Sequence, residues 1–285
     1  MAAELVRAGY EVFGLAHSDH GVTLPGVTEV FVCDLADRHK LAKTLGKIQV
    51  DVVVHLAAIA FVAHGDADAI YATNLIGTRN LLEGLISLKI PPSAILLASS
   101  ANVYGNSVGG TLNECSRTQP VNDYAVSKLA MEYLAKTYQK KLPIIIARPF
   151  NYTGVYQSES FLLPKIVSHV RRRLSVIELG NINVSRDFSD VRMVVQYYRR
   201  LLECSDAIGE TFNVCSETAY SLQDVLTMAQ KISGHTLDIK INSQFVRANE
   251  LPILIGSRAK LVATVGEVTS IELSETLRWM IEFSQ

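Results

Sequence analysis

The chain has 285 residues, of which 48% are hydrophobic and 19% are charged, and its formal net charge is −1. This length can bury one large α/β core or two closely packed domains. The balanced charge argues against nucleic acid or a membrane surface as a partner, and no apolar run approaches the roughly 20 residues of a spanning helix. No signal peptide is recognisable and the four cysteines lack metal-ligand spacing, so we predict a cytoplasmic protein with reduced thiols and no metal site.

In chain order, short apolar runs rich in β-branched residues alternate with longer stretches of helical periodicity. We predict strands at Glu11–Leu15, Val30–Cys33, Val52–Leu56, Ala94–Ser99, Ile144–Arg148 and Ser175–Leu179. We predict helices at Arg38–Leu45, Asp68–Leu88, Asp123–Lys141, Phe161–Arg173, Leu222–Ile232 and Leu273–Phe283, with one further helix and strand between Val191 and Val214.

The strands of the first half lack apolar/polar alternation, which indicates burial on both faces of a sheet. Strands that alternate with helices predict an α/β fold built on a doubly wound, Rossmann-type parallel sheet. After Phe150 the pattern becomes irregular, which predicts a smaller interleaved α/β substrate-binding region. We expect a dinucleotide-binding domain of residues 1–150 plus about 187–216, and a substrate region of about 151–186 plus 217–285.

A dinucleotide-binding sheet normally opens with a strand and a glycine-rich turn whose backbone cradles the pyrophosphate. This sequence opens instead with Met1–Tyr10, which reads as the back half of the first helix with Gly9 as its stop. We therefore expect the first strand and its turn, roughly 15–20 residues, to be missing from this sequence. A natural variant with a rebuilt N-terminus is the alternative.

The segment Tyr124-Ala-Val-Ser-Lys128 places a phenol and an ammonium group four residues apart. Four residues are about one helical turn, so the two side chains share a helix face. The neighbouring positive charge favours the phenolate and would lower the tyrosine pKa from about 10. Such a pair can exchange a proton with a substrate, although two residues on a solvated helix face would show the same spacing.

Three segments in order carry a family resemblance: Ala98-Ser-Ser-Ala-Asn-Val-Tyr-Gly105, the Tyr124–Lys128 segment, and Arg148-Pro-Phe-Asn-Tyr-Thr-Gly154. Together they resemble the extended short-chain dehydrogenase/reductase superfamily, the NAD-dependent epimerase/dehydratase family. The resemblance implies that Ser100 binds the substrate carbonyl, that Tyr124 passes it a proton, and that Lys128 holds the nicotinamide ribose and lowers the tyrosine pKa. Ser99 would then be the structural end of the preceding strand.

The resemblance also implies NADPH or NADH as the cofactor. Besides Tyr124 and Lys128, five residues would contact it: Asp34 and Leu35 at the adenine, and Leu56, Ala57 and Ala58 along the cofactor path. For each of these residues alone, packing would explain its presence equally well. No acidic residue directly follows the predicted strand Glu11–Leu15. His17 or Ser18, shortly after it, can tolerate a 2′-phosphate, so we expect a slight preference for NADPH.

The second half resembles the part of nucleotide-sugar enzymes that grips the substrate. The segment Leu179–Val191 is similar to a diphosphate-binding segment, and Arg247-Ala-Asn-Glu250 followed by Ile255–Lys260 is similar to a pattern of GDP-sugar enzymes. A guanidinium fork suits a pyrophosphate, and a carboxylate suits the two hydroxyls of a ribose. The expected contacts are Asn151, Arg186 and Arg247 on the diphosphate and Glu250 on the ribose, with an ordinary surface charge as the alternative for each Arg or Glu.

Within the superfamily, the motifs look closest to GDP-4-keto-6-deoxy-D-mannose reductases. Related dehydratases carry a glutamate two residues after the catalytic serine or threonine, where this chain has Asn102. An amide cannot act as a base, so the resemblance favours NAD(P)H-dependent reduction of the C4 ketone of GDP-4-keto-6-deoxy-D-mannose to GDP-D-rhamnose. The alternatives are a nucleotide-sugar 4-epimerase, a 4,6-dehydratase, or a non-catalytic NAD(P)-binding relative.

Family members commonly pair through the helix that carries the tyrosine, so the resemblance also implies a homodimer. Four apolar side chains of that helix are available either for this surface or for the core: Leu129, Met131, Tyr133 and Leu134.

Overall fold

The computed structural model describes residues 1–18, 25–60, 66–105, 110–245 and 253–283. Its strands are β1 (Val12–Ala16), β2 (Val27–Val32), β3 (Val52–His55), β4 (Ala94–Ala98), β5 (Thr111–Leu112), β6 (Ile144–Pro149), β7 (Asn151–Thr153), β8 (Val176–Leu179), β9 (Ser185–Asp190), β10 (Thr211–Val214), β11 (Ala219–Ser221), β12 (Asp238–Ile241) and β13 (Ile253–Gly256).

The α-helices of the described residues are α1 (Ala2–Arg7), α2 (Arg38–Leu45), α3 (Ala67–Tyr71), α4 (Thr78–Ile86), α5 (Asp123–Tyr138), α6 (Leu162–Arg171), α7 (Val191–Leu202), α8 (Leu222–Ser233), α9 (Ala259–Val265) and α10 (Leu273–Glu282). The predicted helix Asp68–Leu88 is interrupted, because the six residues Ala72–Gly77 between α3 and α4 form a π-helix. A π-helical turn within an α-helix frequently marks a functional position. None of these helices is both long enough and apolar enough to cross a bilayer.

The chain divides into two compact units. The first comprises Met1–Val103, Pro120–Arg148 and Val195–Phe212, and the second comprises Tyr104–Gln119, Pro149–Val194 and Asn213–Gln285. The expected domains differ from these units in placing 104–119, 149–150, 187–194 and 213–216 with the first half. Strand pairing gives the reason, since β5 pairs with β13 and β9 pairs with β7, β11 and β13.

A four-stranded sheet in the order β10-β6-β4-β3 forms the centre of the first unit. Strands β3, β4 and β6 run parallel, and every residue of β6 is buried. Helices α2, α4 and α5 contribute Leu41, Leu82 and Met131 to one core with Ile95 and Ile146 of the sheet. The predicted parallel α/β architecture is confirmed, and it brings the carboxyl ends of β3, β4 and β6 to one edge of the sheet.

The strands β1 and β2 pair with each other in parallel and form a separate two-stranded sheet. Three of their apolar side chains, Leu15, Val30 and Val32, are each 38–40% exposed. Among the described residues of the first unit, β1-β2 and β10-β6-β4-β3 therefore form two separate sheets.

The second unit is built around β9, which lies between β11 and β13 and also pairs in parallel with β7. A further parallel pair is formed by β8 and β12. Helices α6, α8 and α10 cover a core that includes Ile166, Val225 and Leu277. Several of these strands have two to four residues, and β9 reads Ser-Arg-Asp-Phe-Ser-Asp, so apolar periodicity does not reveal them.

Candidate active site

The predicted catalytic serine follows the carboxyl end of β4. The amide of Ser99 donates to the carbonyl of Ala147 in β6 at 2.7 Å, which continues the sheet by one residue. Ser100 is buried, and its Oγ accepts a hydrogen bond from the amide of Asn102 at 3.1 Å. This bond fixes the hydroxyl group of Ser100 at the start of the short 3₁₀ turn Ala101–Tyr104.

Tyr124 and Lys128 lie in the first two turns of α5, and both side chains are buried. The helix starts at Asn122, whose side chain caps the amide of Ala125 at 2.8 Å. The Nζ atom of Lys128 donates to the carbonyl of Ala98 at 2.7 Å, which holds the lysine against the end of β4. The structure thus places the ammonium group of Lys128 at Ala98, two residues before Ser100. The alternative interpretation of Tyr124 and Lys128 as residues of a solvated helix face is wrong.

The buried position changes the ionisation of Lys128. Burial lowers the pKa of its ammonium group to about 8, against an opposing effect of the Glu132 carboxylate. At neutral pH most of the lysine is still charged, but the group titrates in an accessible range. A lysine of this kind suits a site where protons move.

Asn74 of the π-helix ties the loop after β3 to α5. Its Oδ1 accepts from the amide of Ile59 at 2.9 Å, and its Nδ2 donates to the carbonyl of Ile59 at 3.1 Å and to Ser127 Oγ at 3.0 Å. The hydroxyl of Ser127 in turn donates to the carbonyl of Tyr124 at 2.8 Å. The buried side-chain amide of Asn74 therefore holds the loop after β3 to the Tyr124–Lys128 turn of α5.

A buried histidine lies beneath the same region at the end of β3. His55 Nε2 is 2.9 Å from Thr78 Oγ1, and the hydroxyl of Thr78 donates to the carbonyl of Asn74 at 2.7 Å. Because the threonine proton is used in that bond, Nε2 of His55 is the donor. Burial, and secondarily the charge of Lys128, lower the pKa of His55 to about 3, so the imidazole stays neutral.

Glu132 and Arg148 form a buried ion pair that the sequence interpretation did not include. The carboxylate of Glu132 accepts from Arg148 Nε at 2.8 Å and Nη2 at 2.6 Å, and from Ser99 Oγ at 2.5 Å. The sequence did contain a signal for Glu132, because this residue follows Lys128 by one helical turn and Tyr124 by two. The arginine is the first residue of the Arg148–Gly154 motif.

The predicted adenine-contacting residues follow β2. Asp34 accepts from the amide of Ala36 at 2.8 Å and lies 3.5 Å from His17 Nε2 at the end of β1. The carbonyl of Leu35 accepts from Asn80 Nδ2 at 2.8 Å, whereas the buried Oδ1 of Asn80 has no hydrogen-bond partner among the described residues.

The predicted cofactor path follows β3. Leu56 is 46% exposed, Ala57 is exposed and Ala58 is half-buried. An exposed leucine beside two small residues leaves an apolar surface that a ring can cover. These residues, with Asp34, fit a dinucleotide, and the contact of each with the cofactor stays a prediction.

Two predicted substrate residues lie on neighbouring strands of the second unit. Asn151 of β7 is exposed, and its Nδ2 donates to the carbonyl of Asp187 at 3.2 Å. Arg186 precedes Asp187 in β9 and is half-buried, with Nη1 donating to the carbonyl of Ser185 at 2.8 Å. The other two predicted contacts, Arg247 and Glu250, lie outside the described residues.

Asp187 organises the strands that carry these residues. Its buried carboxylate accepts from the amides of Ser216, Glu217 and Gly256 and from the Ser216 hydroxyl. Gly256 is required here, because a Cβ would lie 2.6 Å from Phe150 Cε2 and 2.8 Å from Cys215 Sγ. Burial raises the pKa of Asp187, while its hydrogen bonds oppose that shift.

Ser100 and the Lys128 ammonium lie at the end of β4 in a parallel α/β unit, and buried Tyr124 lies one turn before the lysine on α5. This arrangement defines the class as an extended short-chain dehydrogenase/reductase. The family model described as GDP-mannose 4,6 dehydratase matches residues 1–280, and the chain belongs to this family. The predicted class of enzyme is thereby confirmed.

Two curated relatives are each 34% identical to the chain. The GDP-6-deoxy-D-talose 4-dehydrogenase of Aggregatibacter actinomycetemcomitans aligns over 85% of this chain and 82% of its own length. The GDP-6-deoxy-D-mannose reductase of Pseudomonas aeruginosa aligns over 80% and 78%.

Two solved structures are also similar. A protein of Burkholderia cenocepacia, assigned provisionally as an epimerase, is 50% identical with a TM-score of 0.91 and covers 99% of this chain and 92% of its own. The structure of RMD from Pseudomonas aeruginosa, complexed with NADPH, is 30% identical with a TM-score of 0.81 and covers 91% and 86%. The prediction of a nicotinamide cofactor agrees with this NADPH complex.

Proposed function

We propose that the protein reduces the C4 ketone of GDP-4-keto-6-deoxy-D-mannose with NAD(P)H and releases GDP-D-rhamnose. The observation that carries the proposal is the buried Ser100–Lys128 end of β4, with Tyr124 one turn earlier on α5 and an amide, Asn102, where related dehydratases carry a glutamate. The 34% identical GDP-6-deoxy-D-mannose reductase supports the same reaction.

A bound nicotinamide would supply the hydride. The protein's own residues then handle the oxygen of the ketone: the Ser100 hydroxyl donates to it and Tyr124 protonates it as its charge develops. Lys128 supplies positive charge next to the tyrosine. Proton donation of this kind contributes roughly 10²–10⁴-fold to the rate.

Asn151 and Arg186 are proposed to hold the diphosphate of the GDP-sugar, with Arg247 as a third contact and Glu250 on the ribose. Support comes from Asn151 and Arg186 lying on the paired strands β7 and β9. The guanidinium group matches the geometry of a phosphate, and the amide donates to a phosphate oxygen. We assign Asp34, Leu35, Leu56, Ala57 and Ala58 to the cofactor, with NADPH preferred.

A second product is favoured by a specific observation, because another 34% identical relative is a GDP-6-deoxy-D-talose 4-dehydrogenase. Hydride addition to the opposite face of the same ketone would give the C4 epimer, GDP-6-deoxy-D-talose. The two products differ only in configuration at C4, which the catalytic set does not decide. A 4-epimerase, in line with the provisionally assigned Burkholderia protein, is the remaining enzymatic alternative.

The test measures NADPH oxidation by the purified protein with GDP-4-keto-6-deoxy-D-mannose, and identifies the product by the proton couplings of its H4 atom. Rapid oxidation with GDP-D-rhamnose as product supports the proposal, and the talose epimer corrects its stereochemistry. A folded protein that binds NADPH but does not oxidise it rejects this substrate. Interconversion of a nucleotide sugar without net NADPH consumption indicates the epimerase.

We further propose that the enzyme is a cytoplasmic homodimer that pairs through α5. Tyr133 of this helix is 62% exposed, and Val126 is also exposed. Met131 is buried in the core, so it does not belong to such a surface, and Leu129 and Leu134 are half-buried. Light scattering of the wild-type protein and of Tyr133→Glu measures the mass, and a dimer that the substitution dissociates supports this interface.

A further inference from the structure

Glu132 is almost completely buried, with 1% of its surface exposed, and lies on the same face of α5 as Tyr124 and Lys128. A buried carboxylate is unfavourable unless charge and hydrogen bonds compensate it. Here three donors do so: the Nε and Nη2 atoms of Arg148 and the hydroxyl of Ser99.

These donors come from different elements. Arg148 lies near the end of β6, and Ser99 directly precedes Ser100 after β4. One carboxylate on α5 therefore holds the carboxyl ends of two neighbouring strands, while Lys128 of the same helix bonds the carbonyl of Ala98. The helix face that carries the tyrosine is therefore bonded to Ser99 and to the residue before it.

A buried ion pair is weak grounds for stability, because apolar replacements of similar volume are often neutral or stabilising. The contacts of Glu132 indicate instead a role in the candidate active site. It is the acidic group that acts on the ammonium of Lys128 and opposes the effect of burial on its pKa. His55 of β3, which stays neutral, is also close enough to feel the charge of Lys128. Tyr124 lies one turn before Lys128 on α5, and Arg148 of β6 is paired with Glu132.

We propose that Glu132 is a positioning residue: held by Arg148, its carboxylate fixes the Ser99–Ser100 backbone against the Tyr124–Lys128 face and acts as the counter-charge of Lys128. The inference rests on the proposed function for the roles of Ser100, Tyr124 and Lys128. It adds to that function the ion pair that holds the serine segment at the Tyr124–Lys128 face and favours the charged form of the lysine.

The first test does not depend on turnover. The charge state of Lys128 is followed by NMR titration of protein with isotopically labelled lysine side chains, and the signal is identified by its absence from Lys128→Arg protein. In the wild type we expect a pKa of about 8. In Glu132→Gln the value should fall by about one further unit, the lower end of the effect of a nearby opposite charge.

Glu132→Gln leaves Arg148 buried without its counter-charge and can prevent folding. The double variant Glu132→Leu with Arg148→Met removes both charges and is expected to fold. Its Lys128 pKa should also lie below the wild-type value, because of the two partners only Glu132 acts on the lysine. Glu4→Gln is the matched control, because Glu4 is another buried carboxylate of the first unit that pairs with arginines, Arg7 and Arg199.

An unchanged Lys128 pKa in the folded double variant overturns the inference, and so does an equal fall in the Glu4→Gln control. The kinetic readout is the pH profile of kcat/KM for ketone reduction. In the double variant the alkaline limb should move to lower pH and kcat should fall about tenfold or more, with KM for the GDP-sugar little changed. An equal loss of kcat/KM at every pH, with the alkaline limb unshifted, indicates a structural role only and also overturns the inference.

Failure of the proposed function has a different signature. If the wild-type protein does not reduce the ketone, the substrate assignment is wrong, whereas the titration of Lys128 still decides whether Glu132 controls its charge. If the wild type is active and the titration does not move, the role of Glu132 alone is rejected.

Discussion

The ammonium group of Lys128 donates to the carbonyl oxygen of Ala98 across 2.7 Å, so this lysine is both a candidate catalytic group and a bond between α5 and β4. A side chain used in this way has little freedom to leave the site. Its charge therefore acts at a fixed point next to Ser100, which is a condition for electrostatic catalysis without reorganisation.

Substitutions of Lys128 should distinguish the effect of its positive charge on turnover from the effect of its losing a proton. Because burial lowers its pKa to about 8, wild-type kcat/KM for ketone reduction should fall above about pH 8 as the lysine loses its proton. Lys128→Arg stays charged at every accessible pH, so its lower activity should lack this alkaline limb. Lys128→Met should be inactive, and an unaltered limb in the arginine variant would contradict the assignment.

His55 should make the fold sensitive to acid. The pKa of His55 is about 3 in the folded protein and 6.5 in the unfolded chain. Unfolding therefore takes up a proton at pH values between these two. The stability due to the neutral imidazole is complete above about pH 6.5 and is lost as the pH falls towards about 3, with an upper limit of about 5 kcal/mol.

Urea unfolding at several pH values measures this effect. His55→Gln keeps a donor for Thr78 but cannot titrate, so its free energy of unfolding should decline less steeply below about pH 6.5. His39→Gln, a replacement of an exposed histidine on α2, should keep the wild-type slope. Equal slopes for wild type and His55→Gln would show that burial of this imidazole does not control acid stability.

Asn74 should matter for turnover more than for substrate affinity. Asn74→Ala removes three hydrogen bonds that hold Ile59 and Ser127, which lets the loop after β3 move relative to Tyr124. A displacement of about 1 Å at reacting groups can cost on the order of 100-fold, so we expect kcat to fall about 10- to 100-fold. Ser127→Ala removes only one of these bonds and should have a smaller effect; the reverse order would argue against this role.

Gly256 should not accept a side chain. Gly256→Ala places a methyl group 2.6 Å from Phe150 Cε2, in the core around Asp187, and overpacking of this kind costs about 1–3 kcal/mol. Thermal unfolding should show a lower midpoint. Gly46→Ala is the matched control, because its Cβ would meet only ordinary contacts in a helical backbone, and it should be neutral or slightly stabilising.

The first unit could be predicted largely from sequence, because its strands are continuous apolar runs and Tyr124 and Lys128 share a face by helical spacing. The main helices of the second unit and β8 could also be predicted. Most of its strands could not, since β9 is mostly polar and its register depends on partners far away in the chain. The Glu132–Arg148 pair joins residues of different elements, and local periodicity does not report such a contact. The roles of Arg247 and Glu250 stay predictions.

The separate β1–β2 sheet has a consequence for how the protein opens. A two-stranded sheet is marginal by itself, and partly exposed Leu15, Val30 and Val32 add little burial. Amide protons of β1 and β2 should therefore exchange with solvent through local opening events that leave β4 and β6 closed. Asp34 and Leu35 follow β2 after a single residue, so a nucleotide bound there would slow this exchange in proportion to its affinity. Amide protection would therefore report adenine binding without any assay of turnover.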